Sequence, residues 1–281
     1  MLKQRIITAL LMLAVLLPAV FYADTRVFGV VSTALMAAGA WEWARLNGRS
    51  SLPALLSGAV FTLVCGLLWF YGGLALHSSL LWLLVGGVWV LGGAWLLRGG
   101  APAWSQLPVA LRWPGGMLAL WAAWLAVNQA RALGVNFLFS VLVLVWVADS
   151  CAYFAGRSLG GKFFARKLAP SISPGKTWEG VCGGLLGVLV LAAAWRYADA
   201  QLLAEHASLY TRLAAKGLPL LWVGVVFMAA MSVVGDLVES LFKRSAGVKD
   251  SSALLPGHGG VLDRVDALLP TLPLAMMLLS L

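Results

Sequence analysis

The sequence predicts an all-α protein, a polytopic transmembrane helical bundle of about nine spans. Composition is the first reason. Of the 281 residues 61% are apolar or aromatic and only 11% are charged, under half the roughly 25% of an average soluble domain. A soluble globule of this size still needs a polar skin, so the chain cannot hide that much apolar surface from water without lipid. The same bias excludes a disordered chain, a collagen and a nucleic-acid-binding domain, so no nucleic acid is expected as a partner. The second reason is a series of apolar runs that reach the roughly 17–25 residues a helix needs to cross a hydrocarbon core of about 30 Å. The third is a one-sided distribution of Lys and Arg between the connecting loops.

The spans read in order as 6–22, 27–44, 54–71, 79–97, 113–130, 135–155, 178–195, 217–236 and 264–281. The first follows "MLKQR", which resembles the charged start of a signal peptide. Its apolar stretch is long for that role, and "VFYAD" lacks the paired small residues a signal peptidase needs. The fifth is the weakest, because Trp113, Pro114, Gly115 and Gly116 give it a ragged start. The three cysteines, Cys65, Cys151 and Cys182, lie in apolar runs and suggest neither disulfides nor a zinc site. With the N-terminus in the cytoplasm and strict alternation, the outer loops hold only Arg26, Arg131, Arg196, Arg212 and Lys216. The other fifteen of the 20 basic residues fall inside. That asymmetry supports an N-in, C-out topology in a bacterial-type plasma (inner) membrane, with membrane lipids around the bundle. The chain divides into an N-terminal bundle, 1–134, and a catalytic region, 135–281, with cytoplasmic loops 156–177 and 237–263.

Acidic residues give the catalytic region its character. There are 11 in all, and five cluster near the cytoplasmic ends of late spans: Asp149, Asp236, Asp250, Asp263 and Asp266. Carboxylates at membrane depth are costly and usually face a cavity, a cation or a partner charge. Asp149 closes "LVLVWVAD", with Tyr153 one turn on. Asp236 closes "SVVGD", and if that helix continues, Ser240 and Lys243 share its face. Asp263 and Asp266 are three apart at the start of the ninth span, so both carboxylates can point the same way. Hard oxygen ligands beside many basic residues fit a magnesium ion that holds a polyphosphate. The bland alternative is an intramembrane salt bridge of Asp236 or Asp263 with Lys243, Arg244 or Arg264.

Two glycine-rich loops lie beside these acids. "LPGHGGVLDRVD" sets Gly257, Gly259 and Gly260 before a helix start, where backbone N–H groups and the helix dipole favour an anion. "SPGKTWEG" repeats the device before the seventh span, with Ser173, Lys176 and Thr177 as added donors. It looks like half of a Walker A loop, but the leading glycine spacing and the preceding strand are missing. His258 is either a general acid, a phosphate donor or a helix-end histidine packed for structure.

Ser240 to Asp266 reads S-L-F-K-R-S-A-G-V-K-D-S-S-A-L-L-P-G-H-G-G-V-L-D-R-V-D. This run closely resembles the signature of the phosphatidate cytidylyltransferases, the CDP-diacylglycerol synthases, with every fixed position filled at the family's spacing. "ADSCAYFAGRSLG" and "SPGKTWEG" resemble two further landmarks of that family, and the firm resemblance covers about 120 residues of the C-terminal half. It implies that CTP and phosphatidate give CDP-diacylglycerol and pyrophosphate, with Mg2+ and a monovalent cation such as K+. It further implies metal ligation by Asp236 and Asp263, with Asp266 beside them and Asp149 supporting the metal or orienting a basic partner. Lys243, Arg244, Lys249 and Arg264 would neutralise phosphates. Ser173, Lys176, Thr177, Gly259 and Gly260 would hold the nucleotide, with His258 in a catalytic role. The resemblance also implies a homodimer, and Gly180, Gly183, Gly184 and Gly187 form overlapping G-x-x-x-G pairs that allow close helix approach, between chains or within one.

Three rivals compete with this reading. The CDP-alcohol phosphotransferases carry a D-G pair at the head of their motif, and this chain contains no Asp-Gly. A CTP-dependent lipid kinase would bind the same partners but direct attack to the γ-phosphorus. A lipid or anion transporter would favour charges at the bilayer midplane and repeated halves, whereas the acids here gather at one face.

Overall fold

A computed structural model describes residues 2–22, 24–75 and 78–281. Lys3, counted in the charge asymmetry, lies outside the described side chains. Twelve α-helices form among the described residues: α1 Leu2–Phe21, α2 Thr25–Leu46, α3 Ser51–Phe70, α4 Ser79–Gly87, α5 Gly93–Gln106, α6 Val109–Ala132, α7 Val135–Leu159, α8 Trp178–Gln201, α9 Leu209–Lys216, α10 Leu218–Ser245, α11 Leu262–Val265 and α12 Leu268–Ser280. No strand accompanies them in that part of the chain. The protein is an all-α polytopic bundle.

Seven helical stretches are long and apolar enough to cross a membrane: Gln4–Phe21, Thr25–Leu46, Ser51–Phe70, Ser79–Gln106, Val135–Leu159, Trp178–Gln201 and Leu218–Ser245. They correspond to seven of the nine expected spans. The fourth contains a π-helical turn, Val88–Gly92, between α4 and α5, and a break at Gly100, whose φ is 65°.

The fifth expected span, α6, is helical over 24 residues but is not among the seven apolar stretches. It nevertheless joins both ends of the bundle. At its start the Trp113 carbonyl accepts from Trp43 Nε1 near the end of α2, at 2.9 Å. At its finish Arg131 donates to the carbonyls of Val20 and Tyr22 where α1 ends, at 2.7 and 2.9 Å. Asn128, midway between, is paired, donating to Ser32 Oγ at 3.1 Å.

The ninth expected span is the larger departure. The apolar run after Asp266 forms a helix of only 13 residues, about 20 Å long against a core of about 30 Å. It starts below the end of the bundle. The chain re-enters through α11, turns at Asp266 and Ala267, and α12 then descends antiparallel to α10. Pro270 lies against Gly235, Leu278 against Gly224, and Lys216 Nζ donates to the Leu279 carbonyl at 2.5 Å. Helix α12 also packs on α4 and α6, and α10 packs on α5, so helices on both sides of the 134/135 boundary meet in one apolar core.

Two loop boundaries move as well. Helix α10 runs nine residues past Asp236, since Leu237, Val238 and Leu241 are buried and the packing face continues. Helix α7 continues to Leu159. The irregular loops are therefore 160–177 and 246–261.

Helices α7 and α8 make the closest helix pair. Small residues allow it: a Cβ on Gly184 would sit 2.9 Å from the Ala148 carbonyl oxygen, and one on Gly180 the same distance from that of Ala152. The glycine stripe of α8 is thus occupied by packing within the chain.

Candidate active site

The first loop, α7, the start of α8, the middle of α10, α11 and the start of α12 enclose a cavity of about 710 Å³. Thr177 caps α8, its Oγ1 accepting from Gly180 N at 3.1 Å. That cap directs Lys176 inward, where its Nζ meets Asp236 Oδ2 at 2.5 Å. Ser240 Oγ donates to the other oxygen of Asp236 at 3.3 Å, a contact that exists because α10 continues. Asp266, at the end of α11, takes the Ala267 amide at 2.8 Å. Asp149 enters from α7, and the charges of Asp149, Asp236 and Asp266 act on one another across the cavity.

Asp263 is held differently. Its Oδ1 accepts from Lys243 Nζ at 2.5 Å, and its Oδ2 accepts from Ser251 N, Ser251 Oγ and Gly260 N at 2.9, 2.8 and 2.7 Å. Burial pushes its carboxyl up, but the hydrogen bonds from Lys243, Gly260 and Ser251 and the charge of Lys243 outweigh burial and hold it below the usual carboxylate range. Lys243 also pairs with Glu239 Oε2 at 2.6 Å. The glycines here have a steric reason: Gly259 has φ +84°, and a Cβ on it would lie 2.7 Å from Asp263 Oδ2.

Of the residues expected from the sequence, Asp149, Lys176, Thr177, Asp236, Asp263, Arg264 and Asp266 line this cavity. The others do not. Ser173 and Ala169 form a β-bridge that shapes the first loop, and Leu255 and Gly259 form its counterpart in the second. Lys243 acts on the cavity through Asp263, and Gly260 likewise through its amide. Arg244 is exposed and donates to the carbonyls of Ile172 and Val248 at 3.4 and 3.3 Å, joining the two loops. Lys249 is exposed. The His258 amide donates to Leu255 O at 2.8 Å, and its Nδ1 is buried without a partner. The expected ion-pair alternative is present with one unforeseen partner, since Asp236 pairs with Lys176 and Asp263 with Lys243.

The cavity has two ends of opposite character. Arg157, Lys176 and Arg264 stand beside Asp149, Asp236, Asp263 and Asp266, while Val145, Trp146, Val233 and Leu268 line the part deeper in the bundle. Among the described residues no three His, Cys, Asp or Glu side chains come together to hold a metal ion.

A profile described as the Cytidylyltransferase family matches residues 3–281. The chain belongs to the cytidylyltransferase family. It is a nucleotidyltransferase, and an integral membrane protein by its apolar helices. It is similar to the phosphatidate cytidylyltransferase of Pseudomonas aeruginosa, 37% identical over 99% of this chain and 97% of the relative. It is equally similar to that of Haemophilus influenzae, 37% identical over 97% of this chain and 96% of the relative. The phosphatidate cytidylyltransferase of Bacillus subtilis is 43% identical over 53% of this chain and 49% of its own length.

Two residues of the cytidylyltransferase escaped the sequence reading. Glu179, buried in the first turn of α8, accepts through Oε1 from the amides of Phe163 and Phe164 at 3.1 and 3.0 Å. Glu42 of α2, with no exposed surface, accepts from Ser251 Oγ, Ser252 Oγ, Val261 N and Leu262 N at 3.1, 2.6, 2.9 and 2.7 Å. The available signal was an acid inside the apolar run "GAWEWARL", which costs free energy unless something pairs it.

Proposed function

We propose that the cytidylyltransferase makes CDP-diacylglycerol from CTP and phosphatidate. A phosphate oxygen of the lipid bonds to the α-phosphorus of CTP, the bond from that phosphorus to the bridging oxygen breaks, and pyrophosphate leaves. The cavity's two-ended lining carries this reading. CTP is a polyanion that cannot enter hydrocarbon, whereas phosphatidate keeps its chains in the bilayer and its phosphate at head-group level. A pocket charged at one end and apolar at the other suits both. The names of the relatives support the same chemistry.

The donor set also fits Mg2+. Four carboxylates face three basic side chains in the cavity, so a triphosphate would be repelled unless cations lay among the acids. An incomplete protein shell is what magnesium uses when substrate phosphates and water supply the remaining ligands. Asp236 with one neighbouring acid, Asp149 or Asp266, would hold it, with Asp263 at the edge of the set, and a monovalent cation such as K+ would fit beside them. The metal would neutralise charge on the phosphates. Lys176 and Arg264 would hold CTP's phosphates in line with the lipid, and Lys243 would keep Asp263 oriented. The lipid phosphate is already an anionic nucleophile near pH 7, so positioning and charge neutralisation are what the protein must supply.

The charge asymmetry of the sequence supports an N-terminus and active site facing the cytoplasm of an inner membrane. Incubation of purified protein with phosphatidate, Mg2+ and CTP labelled at the α-phosphorus should move label into lipid, and label at the γ-phosphorus should leave in pyrophosphate. Lipid labelled from the γ-position would identify a kinase instead.

A further inference from the structure

We infer that Glu42 is a positioning residue for the proposed transfer: from the N-terminal bundle, it fixes the loop that carries Asp263 and Arg264 into the cavity. The inference rests on that functional reading and adds a residue that lies outside the C-terminal signature. Both oxygens of its carboxylate are used, Oε1 by Ser252 Oγ and Val261 N, Oε2 by Ser251 Oγ and Leu262 N. Val261 and Leu262 open α11, the helix whose next two residues are Asp263 and Arg264. Ser251 lies between the two acids, its Oγ within 3.1 Å of Glu42 Oε2 and 2.8 Å of Asp263 Oδ2.

An acceptor-only group is required here. Three donors and the Ser251 hydroxyl it shares with Asp263 converge on one side chain that has no exposed surface, and an amide in its place would turn an N–H donor toward one of them. The carboxylate leaves the loop no second position, because each backbone amide withdrawn would be buried without a partner. Gly260 reinforces this, since a side chain there would collide with Glu42 Oε1 and Ser251 Oγ.

The test uses the full-length protein in detergent, with Glu42→Gln and Ser252→Ala. Amide hydrogen exchange at Val261 and Leu262 should accelerate at least about tenfold in Glu42→Gln, with exchange in α7 and α8 unchanged. The KM for CTP should rise about fivefold or more in the same variant. Ser252→Ala should shift both readouts in the same direction by less. Unchanged loop exchange overturns the inference. So does equal acceleration throughout the bundle, which would make Glu42 a general packing element, and so does faster loop exchange with CTP kinetics unchanged. Should Glu42→Gln fail to fold, Ser252→Ala decides by the same criteria. If the wild type forms no CDP-diacylglycerol, the functional reading fails separately. Loop exchange and CTP affinity by equilibrium dialysis then decide the role of Glu42.

Discussion

Asp263 combines four hydrogen bonds, the charge of Lys243 and partial burial, and that combination has a pH consequence. Its carboxyl titrates lower in the folded protein than in the unfolded chain, where the reference value is about 3.9. A lowered folded value contributes stability above the unfolded value, and that contribution is lost as pH falls through the folded one. Asp263→Asn should therefore unfold at lower temperature than wild type near pH 7, with the difference shrinking below about pH 4. Its turnover should fall by roughly two orders of magnitude or more, since Lys243 loses one of its two carboxylate partners and the site a charge. Thermal unfolding across a pH series, with rates at neutral pH, checks both halves. A difference that stays constant down to pH 2 would mean that Asp263 carries no such linkage. This residue was legible from its motif because its neighbours in sequence are its neighbours in space. Glu42 was not, because its partners lie up to 220 residues away and its span looks like any apolar run with one acid in it.

Helix α8 offers a test at the scale of elements. Its glycines let α7 come close enough to set Asp149 opposite Lys176, so the pair acts as a rigid wall of the cavity. Gly184→Val should force the helices apart, since its first added carbon already meets the Ala148 carbonyl oxygen. The expected cost is about 1–3 kcal/mol of stability, with activity lost more steeply than folded protein. Normal activity in a fully folded Gly184→Val would remove the α7–α8 wall from the account. The spans themselves were readable from length and apolarity, with three exceptions, α6, α12 and the far end of α10. Helix α12 was read as long because the expected span, 264–281, began at Arg264, whereas 262–265 forms the separate α11 and the turn at 266–267 precedes α12. Helix α10 was cut at Asp236 because an acid looks like a membrane boundary. Its apolar face in fact resumes at Leu237, and Lys176 neutralises the acid from across the cavity.

Across the whole molecule, the two glycine-rich loops lie at the same end, and α1, α6 and α12 carry the chain to the other. Cysteine labelling from outside intact cells should leave positions in 160–177 and 246–261 unreacted and should reach positions at 202–207. Labelling of the glycine-rich loops from outside would reverse the proposed orientation. The end-to-end course of α6 was the least legible part of this arrangement. Its glycines, Arg131 and Asn128 lower its apolarity, and only tertiary pairing to α1 and α2 keeps it inside the bundle.

The pairing of Glu42 with the Val261 amide spans 219 residues, and this has a consequence for the order of synthesis. A ribosome working at roughly 5–20 residues per second leaves about 10–45 s between the emergence of the acid and that of its backbone donors. During that interval α2 and its neighbours hold a carboxylate with no amide to satisfy it, so the early bundle is an incomplete receptor that waits for the last loop. Biogenesis of this enzyme then has a built-in late step, in which the arriving loop supplies the buried carboxylate with its hydrogen bonds and brings Asp263 and Arg264 to the cavity in the same movement.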